Sequence, residues 1–304
     1  MMKATVMAAS LLVLPGLALA KGCEASFQSV GDARNGLFFS AQVKLPGLSA
    51  SSALGQLQQI ALDGDYKVGG ELIRGGAGEL YFIQDSNEPD IVMRATADKA
   101  GVVALSTKLA RGQKTDAAAV RSEFCGLLAK LRPGKEGEAI AAAAREKTGV
   151  GRVSDARADK LSAEIGKVVS KALGPVAAKG QLSRALIGTG QSATSGEYAE
   201  AFAPVRARYI GRQYRIDGQV YTVSGAPGTR DMEVNYLVTQ TRGLLGVRQE
   251  TQFNSLNYQL QCRMASDQAK FFLTLTEGNF VTLTGTVMEM GPGGLLLGDC
   301  RQAN

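Results

Sequence analysis

From Gly36 to Leu45 the apolar side chains fall on every second residue (Leu37, Phe39, Ala41, Val43, Leu45), the period of a strand with one buried face. Asn35-Gly36 just before this run is a turn signal that pairs it with residues 26–30 as a hairpin. A short helix is predicted over 52–62, with Leu54, Leu57 and Ala61 on one face and Asp63-Gly64 ending it. Strands follow at 66–73, 79–84 and 91–96, and Asp98-Lys99-Ala100-Gly101 turns the chain into another at 102–108. Over 116–131 the period lengthens: Val120, Phe124, Leu127, Leu128 and Leu131 make the stripe of an amphipathic helix lying on a sheet. Residues 21–132 therefore read as a small α+β, sandwich-like domain.

Pro133-Gly134 closes it. Residues 133–202 read as a helical segment followed by a flexible linker. Residues 136–147 are rich in Ala, Glu, Lys and Arg, which favours a helix. A second helix has Ser154 as its cap, a stripe of Leu161, Ile165, Val168, Val169 and Ala172, and Gly174-Pro175 as its stop. The small, polar text from Ala177 to Gly196 reads as linker. Strand patterns return at 213–223, 232–241, within 247–264, at 280–289 and at 295–300, with a helix predicted at 266–276. Five strands with a helix between the third and fourth is the order of an OB barrel, placed at 203–304.

The first twenty residues change the picture of where this chain works. Lys3, the apolar run Val6 to Leu14 and Ala18-Leu19-Ala20 have the three parts of a secretory signal peptide, with cleavage expected after Ala20. The run is too short to be a membrane span, which needs about 20 apolar residues. No later segment is long or apolar enough either, so no membrane span is expected. A periplasmic location follows. Gly22-Cys23 resembles a lipid-attachment site, but Ala20 and Lys21 stand where such a motif carries Leu and a small uncharged residue.

The chain has 304 residues, four cysteines, no histidine and a formal net charge of +6. Basic and acidic residues are spread evenly, 13 and 12 over 21–132, 10 and 8 over 133–203, 10 and 8 over 204–304. A nucleic-acid binder gathers its basic charge on one face, so this spread argues for solubility more than for a polyanionic partner. Four cysteines in an exported chain read as two disulfides with three possible connectivities. Cys23–Cys125 with Cys262–Cys300 is favoured, because each pair then lies within one proposed domain. A zinc site is disfavoured by the missing histidine and the lack of any Cys-x-x-Cys.

Tyr209-Ile-Gly211 leads into Gly218-Gln-Val220. Cys262 ends a strand, Glu277-Gly278 precedes Val281-Thr-Leu-Thr-Gly285-Thr-Val287, and the chain closes on Leu297-Gly-Asp299-Cys300. Over roughly the last hundred residues this resembles the bacterial OB-fold family labelled tRNA-anti-like. The resemblance implies an exported or lipid-anchored barrel, for most of whose members no function is assigned. Its label reflects likeness to a nucleic-acid-binding barrel and does not imply RNA binding. Where the family carries an upstream lysine-rich motif, this chain has Arg208-Tyr209-Ile-Gly211-Arg212. In an OB barrel the third and fifth strands are neighbours, which would set Cys262 and Cys300 face to face.

Without histidine the usual catalytic triads and most metal sites are unavailable, and no Ser-x-x-Lys occurs. Lys147-Thr148-Gly149 stands alone and reads as a helix end. The pairs Asp231/Glu233 and Asp63/Asp65 offer the carboxylates a hydrolase would need, but nothing in the sequence gathers either pair into a pocket. Gly188-Thr-Gly190-Gln-Ser-Ala193 fits a dinucleotide fingerprint but lacks the strand–helix–strand setting, and reads as linker. OB barrels bind strands by stacking bases on aromatics, and Tyr209, Tyr214, Tyr221 and Tyr236 alternate here with Arg208, Arg212 and Arg215. In that reading Tyr221 and Tyr236 stack while the arginines hold an anion. The plainer one, half-buried barrel aromatics with arginines on the wet face, is preferred.

The expectation is a non-enzymatic exported protein whose barrel contacts an envelope protein or polymer. The alternatives are a module binding nucleic acid or another anionic strand, and, behind it, a histidine-free hydrolase. No cofactor or metal is expected.

Overall fold

In the computed structural model, residues 22–84, 90–187, 195–238, 240–242, 248–250, 258–291 and 294–303 are described. The signal-like segment 1–20 and the glycine-rich run beginning at Gly188 lie outside them, apart from Ser195 and Gly196. The chain mixes helices and strands in two layers: a six-stranded antiparallel sheet in the N-terminal half and a closed five-strand barrel in the C-terminal half.

A helical turn, α1 (22–26), leads into the hairpin β1 (Gln28–Asp32) and β2 (Gly36–Lys44). Next come α2 (Ala50–Asp63), β3 (Lys67–Arg74), β4 (Ala77–Gln84), β5 (Ile91–Ala97) and β6 (Val102–Lys108). The sheet order is β1-β2-β6-β5-β4-β3. Alternation decides its faces. Phe39, Ala41 and Val43 point inward with Leu105 and Val103, while Ser40 and Gln42 point outward.

On the inner face lies α2, capped by Ser49, whose Oγ accepts from the Ser52 amide at 3.1 Å, and ended by Gly64. Helix α3 (Ala117–Ala129), capped by Asp116, covers the same core, with Val120, Phe124 and Leu128 buried. Cys125 on α3 bonds Cys23 on α1, closing a separation of 102 residues. Burial of each large apolar side chain here contributes about 1.5–3 kcal/mol against full exposure.

Helix α4 (Gly134–Thr148) packs on α2 rather than forming part of a connecting segment. Gly55 admits it: a Cβ there would lie 2.5 Å from the Cβ of Ala141. Three polar links hold α4 and the residues before it to α2 and to β3. The Gln56 carboxamide bonds both the amide and the carbonyl of Arg132 at 2.8 Å, Thr148 Oγ1 donates to Gln58, and Arg145 forks onto Glu71. Gly149, in the left-handed region at φ 67°, ends α4, so Lys147-Thr148-Gly149 is a helix terminus.

Two expectations for the middle of the chain are corrected. Ser154 does not cap a helix: it lies in β7 (Val153–Arg157), which pairs in parallel with the first half of β8 (Gln213–Ser224). Gly174-Pro175 does not stop α5 (Ala158–Ile187), which runs through Pro175. A proline deletes one backbone bond at a cost of about 3 kcal/mol. The Ala-rich text after it favours helix, and Leu161, Ile165 and Val169 anchor the first half in the core. The expected linker is therefore helical to Ile187, and α6 (Ser195–Tyr209) follows.

The barrel is built from β8, β9 (Glu233–Tyr236), β12 (Gln259–Met264), β13 (Phe280–Gly291) and β14 (Gly294–Gln302). Its order is β8-β9-β12-β14-β13, with β13 pairing back onto β8 and β12 running parallel to β14, which is the OB arrangement. A small ladder, β10 (Gln240–Arg242) with β11 (Arg248–Glu250), sits between the second and third barrel strands in sequence. The helix expected at 266–276 is shorter: a 3-10 turn at Ser266–Gln268 and one turn, α7 (Ala269–Phe272). Cys262 and Cys300 are bonded across the β12–β14 pair.

Helix α6 joins the two layers. It lies across one end of the sheet's outer face, where Tyr81 and Ile83 enter one buried cluster with Phe202 and Val205 of α6, Ile165 of α5 and the barrel interior. At the sheet edge Gly69 and Gly70 leave room for it. A Cβ on Gly70 would lie 1.3 Å from the Ile210 carbonyl oxygen, and one on Gly69 would lie 2.3 Å from that of Ala207.

Candidate functional site

The residues singled out for ligand binding do not form one platform. Tyr236 is fully buried in the barrel, its hydroxyl donating to the Ile216 carbonyl at 3.1 Å. It cannot stack on a ligand, and that assignment is corrected. Tyr214 and Tyr209 are also buried, and desolvation pushes the Tyr209 phenol up to about 12. Arg208, at the end of α6, pairs with Asp90 ahead of β5 at 3.1 Å and thus ties the helix to the sheet. Arg215 forks onto Asp155 of β7 at 2.6 and 2.8 Å, and this bond holds the Asp155 carboxyl below its usual value of 3.8. Of the six, Arg212 is exposed and hydrogen-bonds the Tyr214 hydroxyl, and Tyr221 is half-buried on the barrel.

The carboxylate pairs fare no better as acid–base machinery. Glu233 is held by Arg263 at 2.9 Å, and Asp63 accepts from Gln59 Nε2 at 2.7 Å in an exposed helix end. Among the described residues no group of three or more acids and cysteines gathers as a metal site, and both disulfides are closed.

A different region is concave. Because α6 covers one end of the sheet's outer face, the other end is left as an open cleft of about 450 Å³. Its floor is Gln42 of β2, Ala104 of β6, Arg94 and Thr96 of β5, and Glu79 of β4. Arg74, at the end of β3, borders it and reaches Asp299 of the barrel at 3.4 Å. Glu79 accepts from Arg94 at 2.6 and 2.8 Å and from the Tyr81 hydroxyl at 3.1 Å. Arg206 of α6 donates to that same hydroxyl at 3.1 Å, its guanidinium 5.8 Å from the ring centroid. Burial, then the charge of Glu79, pushes the Tyr81 phenol up. One hydrogen-bonded run thus leads from the cleft floor into α6.

Sequence reasoning missed this cleft. Alternation does show that Arg94 and Thr96 face away from Met93 and Ala95. It cannot show which half of the outer face α6 will cover.

Fold and geometry together define a disulfide-stapled, two-layer protein carrying a closed OB-type barrel. Compared with known proteins, the chain matches no family model and no curated relative. Among the described residues no helix is long and apolar enough to cross a membrane.

Proposed function

We propose that this chain is an exported, periplasmic binding protein of the cell envelope that works without catalysis, and that its barrel belongs with the exported OB barrels it resembles. The observation that carries the reading is the joint at Gly69-Gly70. Backbone from 207 to 211 sits against glycine there, and one buried cluster runs from the sheet's outer face into the barrel. Such a joint suits a rigid framework that presents surfaces, not two lobes closing over a substrate. Each lobe has its own disulfide, which fits an oxidising compartment. The signal-like first twenty residues supply the route to it.

The nucleic-acid alternative loses support from the same geometry, since Tyr236 is inside the barrel and Arg208 and Arg215 are matched by acids. Two measurements test the proposal. N-terminal sequencing of the cell-made protein should start at Lys21, within about two residues, and the protein should fractionate with the periplasm. The purified protein should pass through heparin and single-stranded DNA columns at low salt. Retention that falls steeply with salt would favour the anionic-strand reading instead. An intact Met1 or a lipid on Cys23 would defeat the export assignment.

A further inference from the structure

We infer that the free edge of β1 is the interface through which two copies of this chain pair, strand to strand and antiparallel, about a two-fold axis at Ser29. The inference goes beyond the binding reading above and stands without it. It joins two sheets into one and sets both clefts on the same side.

Sheet edges are usually guarded, because their unpaired backbone recruits other strands. The far edge of this sheet follows that rule: β3 has a register shift between Val68 and Glu71, and backbone from 207 to 211 sits against its glycines. The edge at β1 has neither device. Its five residues pair with β2 without a register shift, all of them are exposed, and β2 is its only strand partner among the described residues. It holds no lysine or proline. Its one charge, Asp32, is turned into the hairpin, where it accepts from the amides of Arg34 and Asn35 at 2.7 and 3.0 Å.

Gln42 of β2 shows which way the backbone groups point. Its N–H donates to the Ser26 hydroxyl at 2.9 Å and its carbonyl accepts from that hydroxyl at 2.8 Å, so both face β1. Orientation alternates along a strand, so Ser40 and Phe38 face the same way, and their partners Gln28 and Val30 face back to β2. A trans, planar peptide sets each carbonyl opposite to the N–H that follows it. The carbonyls of Phe27 and Ser29 and the N–H groups of Ser29 and Gly31 therefore point outward.

Along the edge these groups read acceptor, donor, acceptor, donor. An antiparallel copy turned about Ser29 presents the complement at every place. Ser29 exchanges both bonds with Ser29 of the second copy, and each Gly31 N–H meets the other copy's Phe27 carbonyl. A regular ladder would add one further bond here, from the Phe27 N–H to the Gly31 carbonyl. Neither group is missed, since the Phe27 N–H already donates to the Glu24 carbonyl at 3.3 Å and Gly31, at φ 93°, turns its own carbonyl aside.

The side chains fit the same register. Glu24 and Arg34 are exposed, and neither has an ionic partner among the described residues. They lie equally far from Ser29 on either side, so the axis brings Glu24 of each copy to Arg34 of the other. On the outer face Val30 is 59% exposed and its β2 partner Phe38 is 39% exposed. Gln28 of the second copy falls beside Val30 and covers it. Phe27, stacked on Phe39, falls opposite Gly31 of the second copy, which has no side chain to hold it off. Any extended strand meets the backbone groups. A strand that meets the charges too needs an acid and a base at these two spacings, and this chain is itself such a strand.

The test follows the mass of the mature protein in solution against concentration. An edge of this size is a small contact, so a reversible monomer–dimer equilibrium is expected. Ser29→Pro removes one outward N–H and leaves the bonds to β2, so it should weaken dimerisation about tenfold or more with the far-UV spectrum unchanged. Arg34→Glu should weaken it several-fold, and Glu24→Arg added to Arg34→Glu should restore it to within about twofold. Under oxidation Ser29→Cys should give a disulfide-linked dimer, because residues paired in this way have Cα atoms about 5.5 Å apart. Ser122→Cys, exposed on α3, should not. A protein that stays monomeric at every concentration, a dimer indifferent to Ser29→Pro, a charge swap that fails to restore pairing, or equal crosslinking from the two cysteines would overturn the interface. So would a Ser29→Cys adduct to a different envelope protein, which gives the edge to another occupant.

Discussion

Gly70 and Ile210 meet so closely that a single methyl group on Gly70 would lie 1.3 Å from the Ile210 carbonyl oxygen. The sheet edge and the end of α6 are therefore joined backbone to backbone, and any side chain at position 70 must drive them apart. Gly70→Ala is expected to destabilise the protein by on the order of 3 kcal/mol, through overpacking that no rotamer can relieve. Gly126→Ala is the matched control. Position 126 has open space around it on α3, so the same change should be neutral or stabilising by about 0.5–1 kcal/mol. Denaturant midpoints of the two variants check this, and equal midpoints would contradict the joint.

That joint marks the limit of what was legible beforehand. Alternation at Leu37, Phe39, Ala41 and Val43 located β2, and the stripe at Val120, Phe124 and Leu128 located α3, because each is a local period. The barrel order and both cysteine pairs were also legible, since strand spacing and domain membership constrained them. Gly69-Gly70 carries no local signal of this joint, because its partner lies well over a hundred residues away. Asp155 and Arg215 were likewise unreadable as partners: β7 exists because the first half of β8 has an edge to fill, which no property of residues 153–157 announces. The stacking alternative set Tyr236 on an open face because it alternates with arginines, but its neighbours in three dimensions bury it fully, beyond even the half-burial of the preferred reading.

Gly285 explains the small residue in the middle of β13. A Cβ there would lie 2.5 Å from Cys300 Sγ, so the Cys262–Cys300 bond occupies the space of the missing side chain. Gly285→Ala should cost about 1–3 kcal/mol, and much of that cost should vanish when both Cys262 and Cys300 are alanine. Loss of this disulfide by itself should cost about 4 kcal/mol in the chain-entropy account. A double-mutant cycle followed by thermal unfolding measures both terms. Strict additivity would contradict the contact.

Tyr236 should behave as a core residue. Tyr236→Phe removes the bond to the Ile216 carbonyl and should cost about 1 kcal/mol, whereas Tyr236→Ala should cost about 3–5 kcal/mol. Burial raises the phenols of Tyr209, to about 12, and of Tyr236 and Tyr258 above the ordinary 10.0. Folded values above unfolded ones mean that this stability is fully present below pH 10 and is lost as pH rises towards 12. Absorbance-monitored alkaline titration should therefore show late tyrosine ionisation coinciding with unfolding. Ionisation of all eight tyrosines near pH 10 in a folded protein would contradict it.

The Asp155–Arg215 fork gives an acid-side counterpart. The hydrogen bond from Arg215, then its charge, lowers the Asp155 carboxyl below 3.8, so the attachment of β7 is favoured above that pH and lost as pH falls through the folded value. Carboxyl NMR should show Asp155 titrating below 3.8, and Arg215→Gln should return it to about 3.8. An unchanged titration in the variant would show that the fork is not populated in solution.

The most direct test of the binding-protein account is crosslinking in living cells, with a photoreactive residue replacing Thr96 on the cleft floor and, in a second strain, Tyr221 on the barrel. The account predicts a discrete adduct from position 96, on periplasmic protein lacking its first twenty residues, that is destroyed by protease and resistant to nuclease. A nuclease-sensitive adduct from position 221, or no adduct from either position, would contradict it.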